Sequence, residues 1–134
     1  MIVDSSALLA IILDEAEAGR FAELILTTPQ SLLPAAAYVE VSLKVDRGRD
    51  GVPNPALDAT IAALGLQIAD FSADQARAAR AAYNRYGASN GGILNFGDCL
   101  VYATARHLNR PLLFKGNDFS RTDLTPALPA GAQP

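Results

Sequence analysis

Very short apolar runs, each followed by residues with helical spacing, recur along this chain of 134 residues: MIVD at 1–4, SLL at 31–33, LQIADF at 66–71 and PLLF at 111–114. Runs this short cannot form a self-standing antiparallel sheet, and they lack the polar alternation of a half-solvated one. With helical stretches between them, they read as buried strands of a short central parallel sheet of four to five strands, covered by helices on both faces. In such α/β sheets a ligand sits beyond the carboxyl ends of the strands.

The helices are marked by their boundaries. Ser5 or Ser6 is placed to cap a helix from about Ser6, because a hydroxyl there accepts a bond from a free backbone N–H. A second helix spans about Glu15 to Leu26 and ends before Pro29. The stretch Ala35–Arg47 is predicted as a helix with Tyr38, Val39, Ser42 and Leu43 on one face. The segment GRDGVPNP at 48–55 is a turn-rich linker. A helix over Ala56–Leu64 stops at Gly65. Ser72 caps the next helix, with Gln75 at the capping-box position, and it runs to about Tyr86. A glycine-rich loop at 87–97 precedes a helix over Asp98–Leu108, whose apolar face is Val101, Ala105 and Leu108. The organisation expected is one domain over 1–124 and a flexible C-terminal tail over 125–134.

Half the residues are hydrophobic and 19% are charged, an ordinary globular balance. The single cysteine, Cys99, rules out an internal disulfide and a cysteine-rich metal site. The start has no basic region before its apolar run, and Asp4 interrupts that run, so neither a signal peptide nor a membrane span is expected. A cytoplasmic protein is the expectation.

Four acids stand where this topology brings chain together. Asp4 closes the first strand. Glu40 lies in the helix after the second. Asp98 opens a helix after the glycine loop, and Asp118 follows the last strand in a tight turn. Carboxylates that converge repel one another and need a cation to stay ionised. Oxygen donors suit Mg²⁺ or Mn²⁺, and with one histidine and one cysteine a zinc site is disfavoured. Phosphodiester hydrolysis is the chemistry such sites perform. The formal charge of −3 does not exclude RNA: setting the four acids aside leaves 10 acidic against 11 basic residues.

MIVDSSALLAIILDE at the start, Glu40 in AAAYVEVSL, NFGDCLVYATA at 95–105 and LLFKGNDFSRTDL at 112–124 together resemble the PIN-domain family, and within it the VapC-type toxin ribonucleases. The resemblance spans residues 1–124. It implies a PIN-like fold and an endoribonuclease dependent on Mg²⁺, with Mn²⁺ able to substitute. It also implies a cognate VapB-type antitoxin that blocks the site, and a homodimer. Carried over by position, Asp4, Glu40, Asp98 and Asp118 would be the acidic quartet. Ser6 matches the family's small polar residue after the first Asp, and Asn117 stands where some relatives carry another acid.

Each of these residues also has a purely structural use. Asp4 and Asp98 suit helix starts, where a carboxylate meets the positive end of the dipole. Asp118 suits a turn, and a helical Glu such as Glu40 is usually solvated. Lys115, Arg80 and Arg85 are candidate RNA contacts, as are Tyr83 and Tyr86 by stacking. His107 fits a helix C-terminus and Cys99 a core position. Two rival functions share the same residues: a module that binds RNA or protein without cutting, and a nuclease for structured DNA.

Overall fold

The computed structural model describes residues 1–129. The elements run β1 (Ile2–Val3), α1 (Ser5–Ile12), α2 (Ala18–Thr27), β2 (Leu32–Pro34), α3 (Ala35–Val45), α4 (Pro55–Ala63), β3 (Gln67–Ala69), α5 (Ala73–Tyr86), α6 (Phe96–Leu108) and β4 (Leu112–Leu113). The four strands form one parallel sheet in the order β3-β2-β1-β4. This is the α/β architecture expected from the sequence.

The order determines where a site can form. The chain lays β2 and then β3 on one side of β1, and returns through α5 and α6 to place β4 on the other side. The reversal falls between β1 and β4. At such a switch point the connections leave in opposite directions and open a crevice beyond the strand ends. Asp4 follows β1, and the 115–120 turn follows β4, so both lie at that crevice.

The strands hold because they are buried. Ile2, Val3, Leu33, Leu112 and Leu113 are wholly inaccessible, and Phe21, Leu8 and Val41 pack among them. Burying a side chain the size of Phe21 stabilises by about 1.5–3 kcal/mol.

Several boundaries differ from expectation, for physical reasons. Asp4, not Ser5 or Ser6, caps α1: its side chain accepts from the Ser6 backbone N–H. α2 starts later, at Ala18; Glu15 and Glu17 lie before it, paired with Lys115. On α3 the buried face is Ala37 and Val41, while Val39 and Leu43 are exposed, so the face expected from Tyr38, Val39, Ser42 and Leu43 is not the core face. The third strand is short, lies at the sheet edge and is largely exposed, with Leu66 just before it taking the core position.

Ser72 caps α5 through the Gln75 N–H. The Gln75 side chain instead accepts from the Thr104 hydroxyl at 2.7 Å, locking α5 to α6 in the interior.

The tail expected to be flexible from Thr125 is tied down over its first residues. Leu112 N–H donates to the Thr125 carbonyl at 3.0 Å, Ala127 N–H donates to the Leu112 carbonyl at 2.7 Å, and Leu128 is buried. This segment covers the outer edge of β4, which would otherwise expose unpaired backbone. The remainder of that expected tail, 130–134, lies outside the described residues.

Candidate active site

Asp4 is at the centre. It leaves β1 at the switch point and is 4% exposed. Its Oδ2 accepts from the Ser6 N–H at 3.1 Å and from the Ser6 hydroxyl at 2.5 Å. The same hydroxyl oxygen accepts from the Lys115 backbone N–H at 2.9 Å. Asp4 N–H in turn donates to the Leu113 carbonyl. Ser6 thus ties the end of β4 to the start of α1 and fixes the Asp4 carboxylate between them.

Glu40 is brought in from α3. Its Oε1 accepts from the Ser5 hydroxyl at 2.7 Å. Its other oxygen lies so close to Gly97 that a Cβ there would collide with it. Glu40 is therefore wedged between the first turn of α1 and the first turn of α6, not projected into solvent.

Asp98 is the third residue of α6, not its opener. Asn95 caps the helix: Asp98 N–H donates to Asn95 Oδ1 at 2.8 Å, and Asn95 N–H donates back to Asp98 Oδ2 at 3.1 Å. This reciprocal pair is a capping box. The structural use of Asp98 is thus realised, and it leaves Oδ1 outside the box.

The electrostatics shows that these acids share one field. Burial pushes the Asp4 carboxyl up to about 6, opposed by its Ser6 bonds and reinforced by the charge of Glu40. Burial also pushes Asp98 up to about 6, with the charges of Asp4, Asp118 and Glu40 adding to the rise. Asp118 is exposed in the turn after β4 and joins the group through its charge on Asp98. Asn117 beside it is exposed as well. Among the described residues, no three such side chains already stand at ligating spacing. The donors are nevertheless all oxygen, and two of them hold protons unusually tightly because of burial and like charge. A hard divalent cation fits that donor set and would relieve both penalties.

Lys115 does not present its ammonium to this group. The Nζ is bound by Glu15 and lies 3.2 Å from Glu17 Oε2, so the expected contact to RNA is replaced by an ion pair within the chain. Arg85 lies over the Tyr86 ring, which packs on Tyr102 5.6 Å away, so Tyr86 belongs to the packing between α5 and α6. Cys99 is buried, its thiol pushed up by burial and by Asp98, which makes it a poor nucleophile. His107 is exposed in the last turn of α6.

Ser5, Gly97 and Asn95 went unread as site residues. The pattern Asn95-x-x-Asp98 is a helix-start signal visible in the sequence. The contact of Ser5 with Glu40 is 35 residues distant in the chain and left no local signal.

A family profile, PIN domain, matches residues 1–124. The chain is 43% identical over 130 residues to "Ribonuclease VapC28" of Mycobacterium tuberculosis, covering 96% of this chain and 98% of that protein. Among solved structures it is similar to the sarcin-ricin-loop-cleaving toxin VapC20 of Mycobacterium tuberculosis, with a TM-score of 0.74 at 20% identity and coverage of 96% and 98% of the two chains. It is likewise similar to a chain of a toxin–antitoxin complex from Klebsiella pneumoniae, with a TM-score of 0.70 at 21% identity and coverage of 91% and 92%.

Proposed function

Because the chain belongs to the PIN-domain family, we propose that it is the ribonuclease toxin of a toxin–antitoxin pair, cutting RNA phosphodiester bonds at the Asp4, Glu40, Asp98 and Asp118 carboxylates. The observation that carries this reading is the convergence of three acids from β1, α3 and α6 on one crevice, with Asp98 feeling the charges of Asp4, Asp118 and Glu40. The high identity to a protein named as a ribonuclease supports it over nearly the full length of both chains.

Asp4, Glu40, Asp98 and Asp118 would hold Mg²⁺, with Mn²⁺ able to substitute. The cation supplies Lewis acidity toward water and screens the charge of the phosphate. The protein's own residues supply the arrangement. Ser6 holds Asp4 in place, Ser5 holds Glu40, and the capping box fixes Asp98 while leaving one oxygen outside the box. Attack by water, rather than by the RNA 2′-hydroxyl, gives 3′-hydroxyl and 5′-phosphate ends. A VapB-type antitoxin that covers the crevice would inhibit the enzyme, and a homodimer in the cytoplasm is the working form. Among the described residues no helix is long and apolar enough to cross a membrane.

The test is incubation of purified protein with total cellular RNA in Mn²⁺ or Mg²⁺, then EDTA, then excess Mn²⁺. The proposal expects cleavage, loss and recovery, with 5′-phosphate ends. Binding without cleavage under all three conditions would make the protein a non-cleaving module. Cutting of flap DNA in preference to RNA would make it a structured-DNA nuclease.

A further inference from the structure

Phe96 is 76% exposed, more than any other large hydrophobic side chain among the described residues. It is the first residue of α6 and takes no part in the capping box, which Asn95 and Asp98 form on either side of it. The fold therefore has no use for its ring. Phe96 borders a groove of about 290 Å³ between α5 and α6, lined almost wholly by carbon: Phe71, Ala79, Tyr83, Cys99 and Leu100 contribute. Tyr83 is 38% exposed there. The one charged side chain on the groove is Arg80. Arg80 makes no salt bridge among the described residues, whereas Arg77 nearby is tied to Asp74.

We infer that this groove holds one unpaired base of the RNA substrate, stacked on Phe96, with Arg80 meeting an adjoining phosphate. The inference rests on the ribonuclease reading of the neighbouring carboxylates. Three features select a base as the occupant. The groove reaches the first turn of α6, which also carries Asp98: Phe96 borders it two residues before that acid. It is aromatic and carbon-lined, which suits the π-face of any base. Its single cation at the edge matches a base attached to one phosphate. An amphipathic helix from a protein partner would need anchors repeated over two turns or more, which a groove of this size does not offer.

The test uses the Asp98→Asn protein, so that binding is read without cleavage. The probes are fluorescein-labelled decaadenylate RNA and an abasic ribose-phosphate decamer of equal length, followed by anisotropy. Phe96→Ala is expected to weaken decaadenylate binding roughly 5- to 150-fold and to leave the abasic probe unchanged, with Phe96→Trp restoring affinity. Arg80→Gln is expected to reduce the salt slope by about one for both probes. Equal decaadenylate binding by Phe96→Ala and its parent overturns the inference, as does equal weakening of both probes. A fall in solution mass from dimer to monomer with RNA affinity retained would assign the ring to a protein interface instead. The two readings separate cleanly. If wild type cuts RNA while Phe96→Ala binds like its parent, only the base subsite fails. If the base dependence holds but wild type never cuts in Mn²⁺, only the nuclease reading fails.

Discussion

The Ser5 hydroxyl donates to Glu40 Oε1 at 2.7 Å, joining the first turn of α1 to the middle of α3. On its far side Glu40 Oε2 meets Gly97, where an added Cβ would push that carboxylate aside. The position of one carboxylate thus depends on two residues that carry no charge. Ser5→Ala removes a part-buried hydrogen bond to Glu40, which costs about 0.5–1.5 kcal/mol of stability and lowers RNA cleavage. Gly97→Ala acts differently. Alanine favours a helix over glycine by about 1 kcal/mol, so the thermal midpoint holds or rises while cleavage falls. Because both substitutions act through Glu40, their effects on cleavage rate are expected to be less than additive, and a double-mutant cycle measures that.

Asp98 has two separable duties. In Asp98→Asn the side-chain oxygen still accepts from the Asn95 N–H, so the capping box survives and stability changes little. In Asp98→Ala the backbone N–H of residue 98 still donates to Asn95, but the return bond from the Asn95 N–H is lost, at about 0.5–1.5 kcal/mol. Both variants lose cleavage. Urea denaturation of the two proteins side by side checks the difference, and equal destabilisation would show that the box contributes nothing.

Stability without metal should depend on pH in a defined direction. Asp4 and Asp98 are pushed up to about 6, above the value near 4 of an unfolded aspartate. Between those values the folded protein keeps protons that the unfolded chain has released, so stability in EDTA falls as pH rises from about 4 to about 6. Above pH 6 both groups are ionised in both states and the loss levels off. Adding Mg²⁺ should raise the thermal midpoint most above pH 6 and least near pH 4. A thermal shift series at several pH values, with EDTA or Mg²⁺, reads both trends. A midpoint that rises steadily through this window in EDTA would contradict the burial of these acids.

Lys115 is expected to matter for folding and not for RNA. Lys115→Met leaves Glu15 and Glu17 without their cation, and Glu17 Oε2 is buried. The thermal midpoint should fall. The dependence of RNA affinity on salt should keep its slope, because this ammonium neutralises no phosphate. A slope reduced by about one would return Lys115 to the RNA-binding surface.

What could be read from the sequence follows from how local each signal is. The strands at Ile2–Val3 and Leu112–Leu113 announce themselves as apolar runs beside an acid or a turn, and Ser72 marks the start of α5 by its own chemistry. Contacts between distant segments leave no such mark. Nothing near Lys115 foretells Glu15 and Glu17 across 100 and 98 residues, and nothing near Gln75 foretells Thr104. The exposure of Val39 and Leu43 was illegible for a related reason: helical spacing groups residues into faces, and which face is buried depends on what packs against it. Thr125–Leu128 read as a frayed tail because its composition is that of one, yet the open edge of β4 gives its backbone partners.

The most direct test of the central claim is cleavage of total cellular RNA in Mn²⁺ by wild type and Asp98→Asn, purified identically and shown by circular dichroism to be equally folded. The account expects wild type to cut, the cut to vanish in EDTA, and Asp98→Asn to leave the RNA intact. Equal cleavage by Asp98→Asn would place the activity outside the Asp4–Glu40–Asp98 crevice and contradict the account.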